Sequence, residues 1–220
     1  MLAELGLGVL AALWLARARV RGKPVALRNA FYFARHGESE ANVANIVSAF
    51  QLGRHMHGLT SKGRAEVLEQ ASQVLLPRID PLRTTIVASP FLRTRETADV
   101  IAQALSSSNE VLVSEALRER NFGEFEGLPA HESYHKCWAE DQDLANTLPS
   151  SYQCESVQDV ATRTLQLVLE LDQLYLDGQH VFVLVSHGDA IQIARSRLLG
   201  LNPRLHRFEP HVVPGQIVAI

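Results

Sequence analysis

Five short apolar runs alternate with longer amphipathic stretches along this chain of 220 residues. Phe31, Tyr32 and Phe33 form the first run, which reads as a buried strand. A short helix is expected over 38–45, with Ser39 and Glu38 suited to its first turn. Residues 46–59 show no clean period and read as loop. Thr60 or Ser61 can cap a helix that runs to about Leu76, where Pro77 stops it. The spacing then predicts a strand over 85–88, a helix over 93–105, a short strand over 111–113 and a glycine-punctuated loop over 117–127. Residues 129–155 are polar and weakly periodic, and they read as a partly helical, lid-like excursion. Residues 157–176 carry the clearest helical period, with Val157, Val160, Ala161, Thr164, Val168 and Leu171 on one face. Residues 181–185 are wholly apolar, as expected of a central parallel strand. A helix to about Leu199 and a last strand over 216–220 complete the pattern. Strands alternating with helices imply an α/β fold, a three-layer αβα sandwich around a mostly parallel central sheet.

The first 28 residues differ from the rest. Leu2 to Ala16 is apolar except for Glu4, and Arg17, Arg19, Arg21 and Lys23 follow. Three readings compete. A membrane anchor would keep the basic cluster on the cytoplasmic side, although the run is shorter than the ~20 residues of a usual span. A signal peptide would place the basic residues before the apolar run, not after it. An extra helix docked on the domain, or an extension without fixed structure, is the third. The globular domain is expected to occupy residues 29–220, enough for one full core.

Composition narrows the class. Apolar residues at 46% and charged residues at 20% are ordinary globular values. A net charge of −3 argues against a nucleic-acid partner, because no basic excess exists to neutralise phosphates. Cys137 and Cys154 are the only two cysteines and neither sits in a CxxC pair, which suits a reducing, cytoplasmic location. Tethering to a membrane through residues 1–28 stays open beside that reading, and nothing in the pattern fixes an oligomeric state.

The chemistry gathers at strand ends. The first strand runs into Arg35-His36-Gly37, and the apolar run at 181–185 ends in Ser186-His187-Gly188. Parallel strands joined by right-handed crossovers put their carboxyl ends on one edge, so His36 and His187 are expected to meet. Ser89-Pro90 ends a third strand and leads to Arg93. A helix start beside such an edge is already an anion site. A solvated Arg–Glu pair with Glu96 would explain Arg93 alone. Arg35, His36, Arg93 and His187 at three matching strand ends call for a shared cause.

With these stretches the sequence resembles the histidine phosphatase superfamily, also called the phosphoglycerate mutase-like family. The resemblance is carried by Arg35-His36-Gly37-Glu38-Ser39 with Asn42, by Leu59-Thr60 with Gly63, and by Ser89-Pro90 with Arg93 and Glu96-Thr97. Leu117-Arg118-Glu119 with Phe122-Gly123 and Glu126-Gly127, Glu155-Ser156 with Arg163, and Ser186-His187-Gly188 complete it. They follow the family's order over about residues 31–188.

The resemblance implies a phosphoglycerate mutase-like fold, a small phosphorylated substrate, and no metal or other cofactor. It implies that His36 is the nucleophile and is phosphorylated. Arg35, Arg93 and His187 would hold the phosphoryl oxygens, and Asn42 would add a neutral donor. Glu119 would protonate the leaving alcohol and then activate water. A nucleophilic imidazole must present one lone pair, so the other ring nitrogen of His36 should donate to a backbone carbonyl. Asp189 reads as a cap for the helix after His187, Glu38 as structural, and Glu155 as a helix start with a secondary orienting role.

The family holds mutases and phosphatases. Its mutases carry a long basic insertion after the Glu119 motif. Here residues 128–154 are short and Lys136 is their only Lys or Arg, which favours a hydrolase over phosphoglycerate mutase-type transfer. A metallohydrolase built on His55 and His57 and a non-catalytic binding module are the lesser alternatives.

Overall fold

A computed structural model describes residues 22–107 and 109–220. The expectations for residues 1–21 lie outside the described residues. No helix among the described residues is long and apolar enough to cross a membrane.

The core is a five-stranded sheet of β1 (Ala30–Arg35), β2 (Thr84–Ala88), β3 (Leu112–Val113), β4 (Val181–Ser186) and β5 (Ile217–Ala219), in the order β3-β2-β4-β1-β5. β1, β2, β3 and β4 run parallel, and β5 alone is antiparallel, paired with β1. β4 has neighbours on both sides and covered faces, which is why all five residues of its apolar run are needed. Side chains alternate across the sheet. Phe31 and Phe33 join Phe182 and Leu184 on one face, while Ala34 joins Val183 and Val185 on the other.

Each face carries its own helices. α3 (Ser61–Gln70), continued by a π-helical stretch to Leu75, and α4 (Leu92–Ala104) cover one face through Val67, Leu75, Ala98 and Ile101. α6 (Val157–Leu174) and α7 (Gly188–Leu198) cover the other through Val168, Leu171, Ile191 and Leu198. The chain leaves β1 toward the first face and leaves β4 toward the second. Adjacent parallel strands that feed opposite faces open a crevice at their carboxyl ends, the place where such sheets bind ligands.

One stretch differs from its sequence reading, and a second takes the partly helical form expected of it. Residues 46–59 are not wholly loop, because they include α2 (Gln51–His55). Five residues are too few to show a period. Its start is held from a distance instead, by Glu126, whose carboxylate accepts from the N–H groups of Ala49, Phe50 and Leu52 at 2.8, 3.1 and 3.3 Å. Within 129–155, α5 (Ala130–Gln142) is one continuous helix. Its buried side is Ala130, Ser133, Cys137 and Asp141, a helical spacing whose small and polar members hide the period. Before β1, the backbone of Gly22 and Val25 bonds to Gly200 and Leu198, and Val25 and Leu27 pack on the core.

Candidate active site

Ser39 caps the short helix α1 (Glu40–Ala44) immediately after β1. Its Oγ and N–H both donate to Asn42 Oδ1, at 2.9 and 3.0 Å. The cap therefore uses the carbonyl oxygen of Asn42 and leaves its NH₂ group at the pocket it lines. Gly37 lies so close to Gly63 that a Cβ there would stand 2.4 Å from the Gly63 carbonyl oxygen. That approach docks α3 beside the end of β1. Glu38 ties the same junction, accepting from Thr60 Oγ1 at 2.9 Å and pairing with Lys62 at 2.8 Å.

The expected residues from β1, β2 and β4 converge. Arg35 is in register with Ser186, and the N–H of His36 donates to the Ser186 carbonyl at 3.0 Å. The His36 and His187 rings sit 5.3 Å apart, edge to face. His36 Nδ1 is 2.8 Å from the Gly37 carbonyl oxygen. A carbonyl only accepts, so Nδ1 carries the proton and Nε2 presents its lone pair. Burial, with Arg93 and Arg35 beside it, holds His36 well below the ordinary imidazole range. The ring is therefore neutral near pH 7.

Arg93 is buried at the start of α4. Its Nη2 donates to the Ser48 carbonyl at 2.8 Å and to His187 Nδ1 at 3.1 Å. His187 Nε2 lies 2.8 Å from Ser89 Oγ. Both ring nitrogens of His187 are thus engaged, and burial followed by Arg93 and His36 lowers its pKa strongly. Arg35 Nη1 donates to the Val212 carbonyl at 2.8 Å and approaches His211 Nε2 at 3.1 Å, while its buried Nε has no hydrogen-bond partner among the described residues. Gly188 makes room for this guanidinium, since a Cβ there would lie 3.0 Å from Arg35 Cζ.

Glu119 reaches the same pocket from the loop after β3 and is 7% exposed. Its Oε1 accepts from the N–H of Arg120 at 2.9 Å and of Ala190 at 3.2 Å. Burial and then the neighbouring Asp189 raise its pKa, against these two N–H groups and Arg93. Glu155 fixes the loop. Its carboxylate binds Arg118 at 2.6 and 2.7 Å and Arg163 at 3.0 and 3.2 Å, and Arg163 donates to the Ala116 and Arg118 carbonyls. Burial opposes its charge, but Arg118 and Arg163 bring its pKa down to about 2.

Asp189 is not a helix cap. His187 occupies the cap position of α7, and the Asp189 carboxylate turns inward to Trp138 Nε1 at 2.9 Å, His206 Nε2 at 2.8 Å and Arg120 Nη1 at 3.4 Å. Burial works against its charge, yet His206, Arg120 and Arg207 together hold it well below the usual carboxylate range. Ser48 lines the pocket without having been singled out in the sequence, and Tyr134 lines it from α5. His55 is exposed at the end of α2, and His57 Nδ1 lies 3.0 Å from Ser48 Oγ. Among the described residues no group of three or more His, Cys, Asp or Glu is placed to hold a metal ion. Cys137 and Cys154 are free thiols buried in one cluster with Phe122 and Phe125.

The pocket encloses about 250 Å³. Its two arginines and neutral imidazole suit a tetrahedral oxyanion. Residues 31–217 match the histidine phosphatase superfamily (branch 1). The chain is 34% identical to an Erwinia tasmaniensis protein named "Probable phosphoglycerate mutase GpmB", over 80% of this chain and 77% of that one. It is 29% identical to the 2,3-bisphosphoglycerate-dependent phosphoglycerate mutase of Bartonella henselae, over 76% of this chain and 80% of that one. Among solved structures, mycobacterial glucosyl-3-phosphoglycerate phosphatase superposes with a TM-score of 0.70 at 26% identity, covering 87% of this chain and 92% of that one. The Entamoeba histolytica phosphoserine phosphatase shares the fold, with a TM-score of 0.68 at 22% identity over 87% and 89% of the two chains. The family match runs from Phe31 in β1 to Ile217 at the start of β5 and takes in every segment that lines the pocket, and the chain belongs to the histidine phosphatase superfamily, branch 1.

Proposed function

We propose that this protein is a phosphomonoester hydrolase that works through a phosphohistidine on His36. The observation that carries the reading is the Nδ1–H bond to Gly37, which aims a neutral Nε2 into a pocket bordered by Arg35 and Arg93. In the first step the Nε2 lone pair attacks phosphorus and the P–O bond to the alcohol breaks. Glu119, whose acid form is favoured by burial and by Asp189, gives its proton to the departing oxygen. In the second step water attacks the phosphohistidine, the Glu119 carboxylate takes a proton from it, and the P–N bond breaks. Phosphate leaves, and both groups return to their starting states.

Phosphoryl transfer depends mostly on positioning and fixed charge. Arg35 and Arg93 supply that charge, and the NH₂ of Asn42 adds a neutral donor. Neutral His187 accepts from Arg93. That bond, with Ser89 at Nε2, engages both ring nitrogens of His187 and holds the Arg93 guanidinium at the pocket. A mutase-type transfer is the second reading, and the curated relatives named phosphoglycerate mutase favour it. The phosphatase among the structural neighbours and the single basic residue in 128–154 favour hydrolysis. A panel of phosphorylated metabolites with phosphate-release detection tests the reading. Phosphate release that disappears in His36→Ala supports it. Isomerisation without release would establish the mutase instead.

A further inference from the structure

Cys137 and Cys154 are the chain's only cysteines, and the fold brings them together. Cys137 lies on the buried side of α5 with Ser133 and Asp141. Cys154 lies near the end of the connection from α5 to α6, which runs through turns and bends over residues 143–156. Two features dock that segment. Gly123 has no Cβ, and one there would stand 2.2 Å from the Tyr152 carbonyl oxygen. The N–H of Glu155 donates to the Asn121 carbonyl at 2.7 Å. Both thiols therefore enter one cluster with Phe122 and Phe125, and the proposed hydrolysis uses neither.

Each cysteine stands beside groups that shape the pocket. Trp138, which follows Cys137, donates to Asp189, and Tyr134, one turn earlier, lines the pocket. Glu155, which follows Cys154, holds Arg118 and Arg163 and so frames the loop of Glu119. The two thiols are chemically unequal. Cys137 donates to the Cys154 sulfur, and that bond, followed by burial, raises the pKa of Cys137. The same bond lowers that of Cys154 against burial, and the Arg120 guanidinium favours the thiolate at both. Cys154 is also the more reachable, at 8% exposure against 0%. The thiolate is the nucleophile in thiol oxidation, so Cys154 is the attacking member and Cys137 the resolving one.

We propose that Cys137 and Cys154 are a reversible disulfide site, oxidised by hydrogen peroxide, whose bond clasps α5 to the segment that frames Glu119. The Cys154 thiolate attacks one peroxide oxygen, the O–O bond breaks and hydroxide leaves. Cys154 is then a sulfenic acid. Cys137 gives up its proton as its sulfur attacks the Cys154 sulfur, the S–S bond forms, the S–O bond breaks and water leaves. The two sulfurs lose two electrons and the peroxide gains them. A dithiol reverses the bond by exchange. Because the thiols already touch, the shift to bonding distance is small. The wall of the pocket keeps its place, and its opening is restricted.

The test treats the full chain with hydrogen peroxide and needs no turnover. Alkylation in urea should find both thiols free in the reduced chain and neither in the oxidised one. The oxidised chain should be lighter by two hydrogens and should yield a peptide linking Cys137 to Cys154. Dithiothreitol should restore both thiols. Amide hydrogen exchange over residues 130–156 should slow about 10- to 100-fold in the oxidised form, as expected of a cross-link across a short loop. In Cys137→Ser the sulfenic acid has no partner, and dimedone should label Cys154. In Cys154→Ser, Cys137 should stay unlabelled. The comparison of oxidised with reduced wild type stands whether or not the serine variants fold. Two alkylatable thiols after peroxide, or a bond formed only between chains, overturns the proposal. Unchanged exchange in a chain that carries the bond rejects the clasp, and dimedone on Cys137 rejects the assignment of roles.

Discussion

Nη2 of Arg93 lies 3.1 Å from Nδ1 of His187. A guanidinium only donates, so His187 accepts there and keeps its proton on Nε2, facing Ser89 Oγ at 2.8 Å. Arg93 thus fixes a tautomer as well as lining the pocket. Arg93→Lys keeps the charge but loses the planar fork that serves Ser48 and His187 together. Losing one fixed donor to a transition-state oxyanion typically costs about 10²–10³-fold, and kcat/KM for phosphate release should fall by that factor. Arg93→Met also removes the charge that depresses both histidines. Their titrations, followed by NMR, should move upward. Unchanged histidine titrations would mean that burial alone sets them.

His36→Ala should abolish turnover and covalent labelling together. Acid-labile, base-stable phosphate on the wild-type chain should map to His36 after rapid quench. Label on His187 would move the nucleophile to the other ring of the pair.

Acid should destabilise the fold earlier than carboxylate titration alone allows. His36 and His187 have folded-state pKa values below the unfolded value of about 6.5. Below that value the unfolded chain binds more protons than the native one, so stability falls as pH falls. Each histidine contributes about 1.4 kcal/mol per pH unit until its own folded-state pKa is reached. Glu119 works in the opposite sense, because its raised pKa adds stability that is lost as pH rises through it. Two histidines outweigh one carboxyl over pH 6.5 to 5, so urea midpoints should drop there. His187→Gln should show a shallower slope, and an equal slope would exclude His187 as a source.

The fold and half of the pocket were legible because their signals are local. The run at 181–185 could only be a buried strand, and the two Xaa-His-Gly turns stood at matching strand ends. Ser48 gave no such signal. It acts through its backbone carbonyl, held under Arg93 by a loop without period. Tyr134 lies on α5, whose buried side includes Ser133 and Asp141, so hydropathy gave it no direction. Asp189 carried a misleading local signal. An acid in the first turn of a helix suits a cap, but Trp138, His206 and Arg120, distant in sequence, draw it into the interior.

Glu155→Gln should loosen the segment that carries Glu119. The change keeps size but leaves Arg118 and Arg163 without their shared carboxylate, and both are partly buried. Breaking a buried pair costs about 3–5 kcal/mol. Exposure of 25% at the Arg118 side chain places this case at about 2–3 kcal/mol in urea unfolding. Activity should fall as well, through Glu119. Full activity with lowered stability would show that Glu155 serves the fold alone.

Glu119→Gln gives the sharpest test of the proton's path. The variant keeps a carbonyl oxygen to accept from Arg120 and Ala190, so the loop should hold its place. It cannot transfer a proton. A sugar or hydroxy-acid alkoxide is a poor leaving group and needs that proton, whereas nitrophenolate leaves largely without it. General acid catalysis contributes about 10²–10⁴-fold, and phosphorylation of His36 by alkyl esters should slow by that amount. Nitrophenyl phosphate should still phosphorylate His36 quickly. Hydrolysis of the phosphohistidine should then lag, because water has lost its base, and a burst of nitrophenol should precede a slow steady state. The pH profile supplies an independent readout. With the acid form required in the first step, kcat/KM for alkyl esters should fall as pH rises through the raised pKa of Glu119. Glu119→Gln should lack that limb. Equal slowing of the first step for both ester types, with the limb retained, would make Glu119 structural and require another acid.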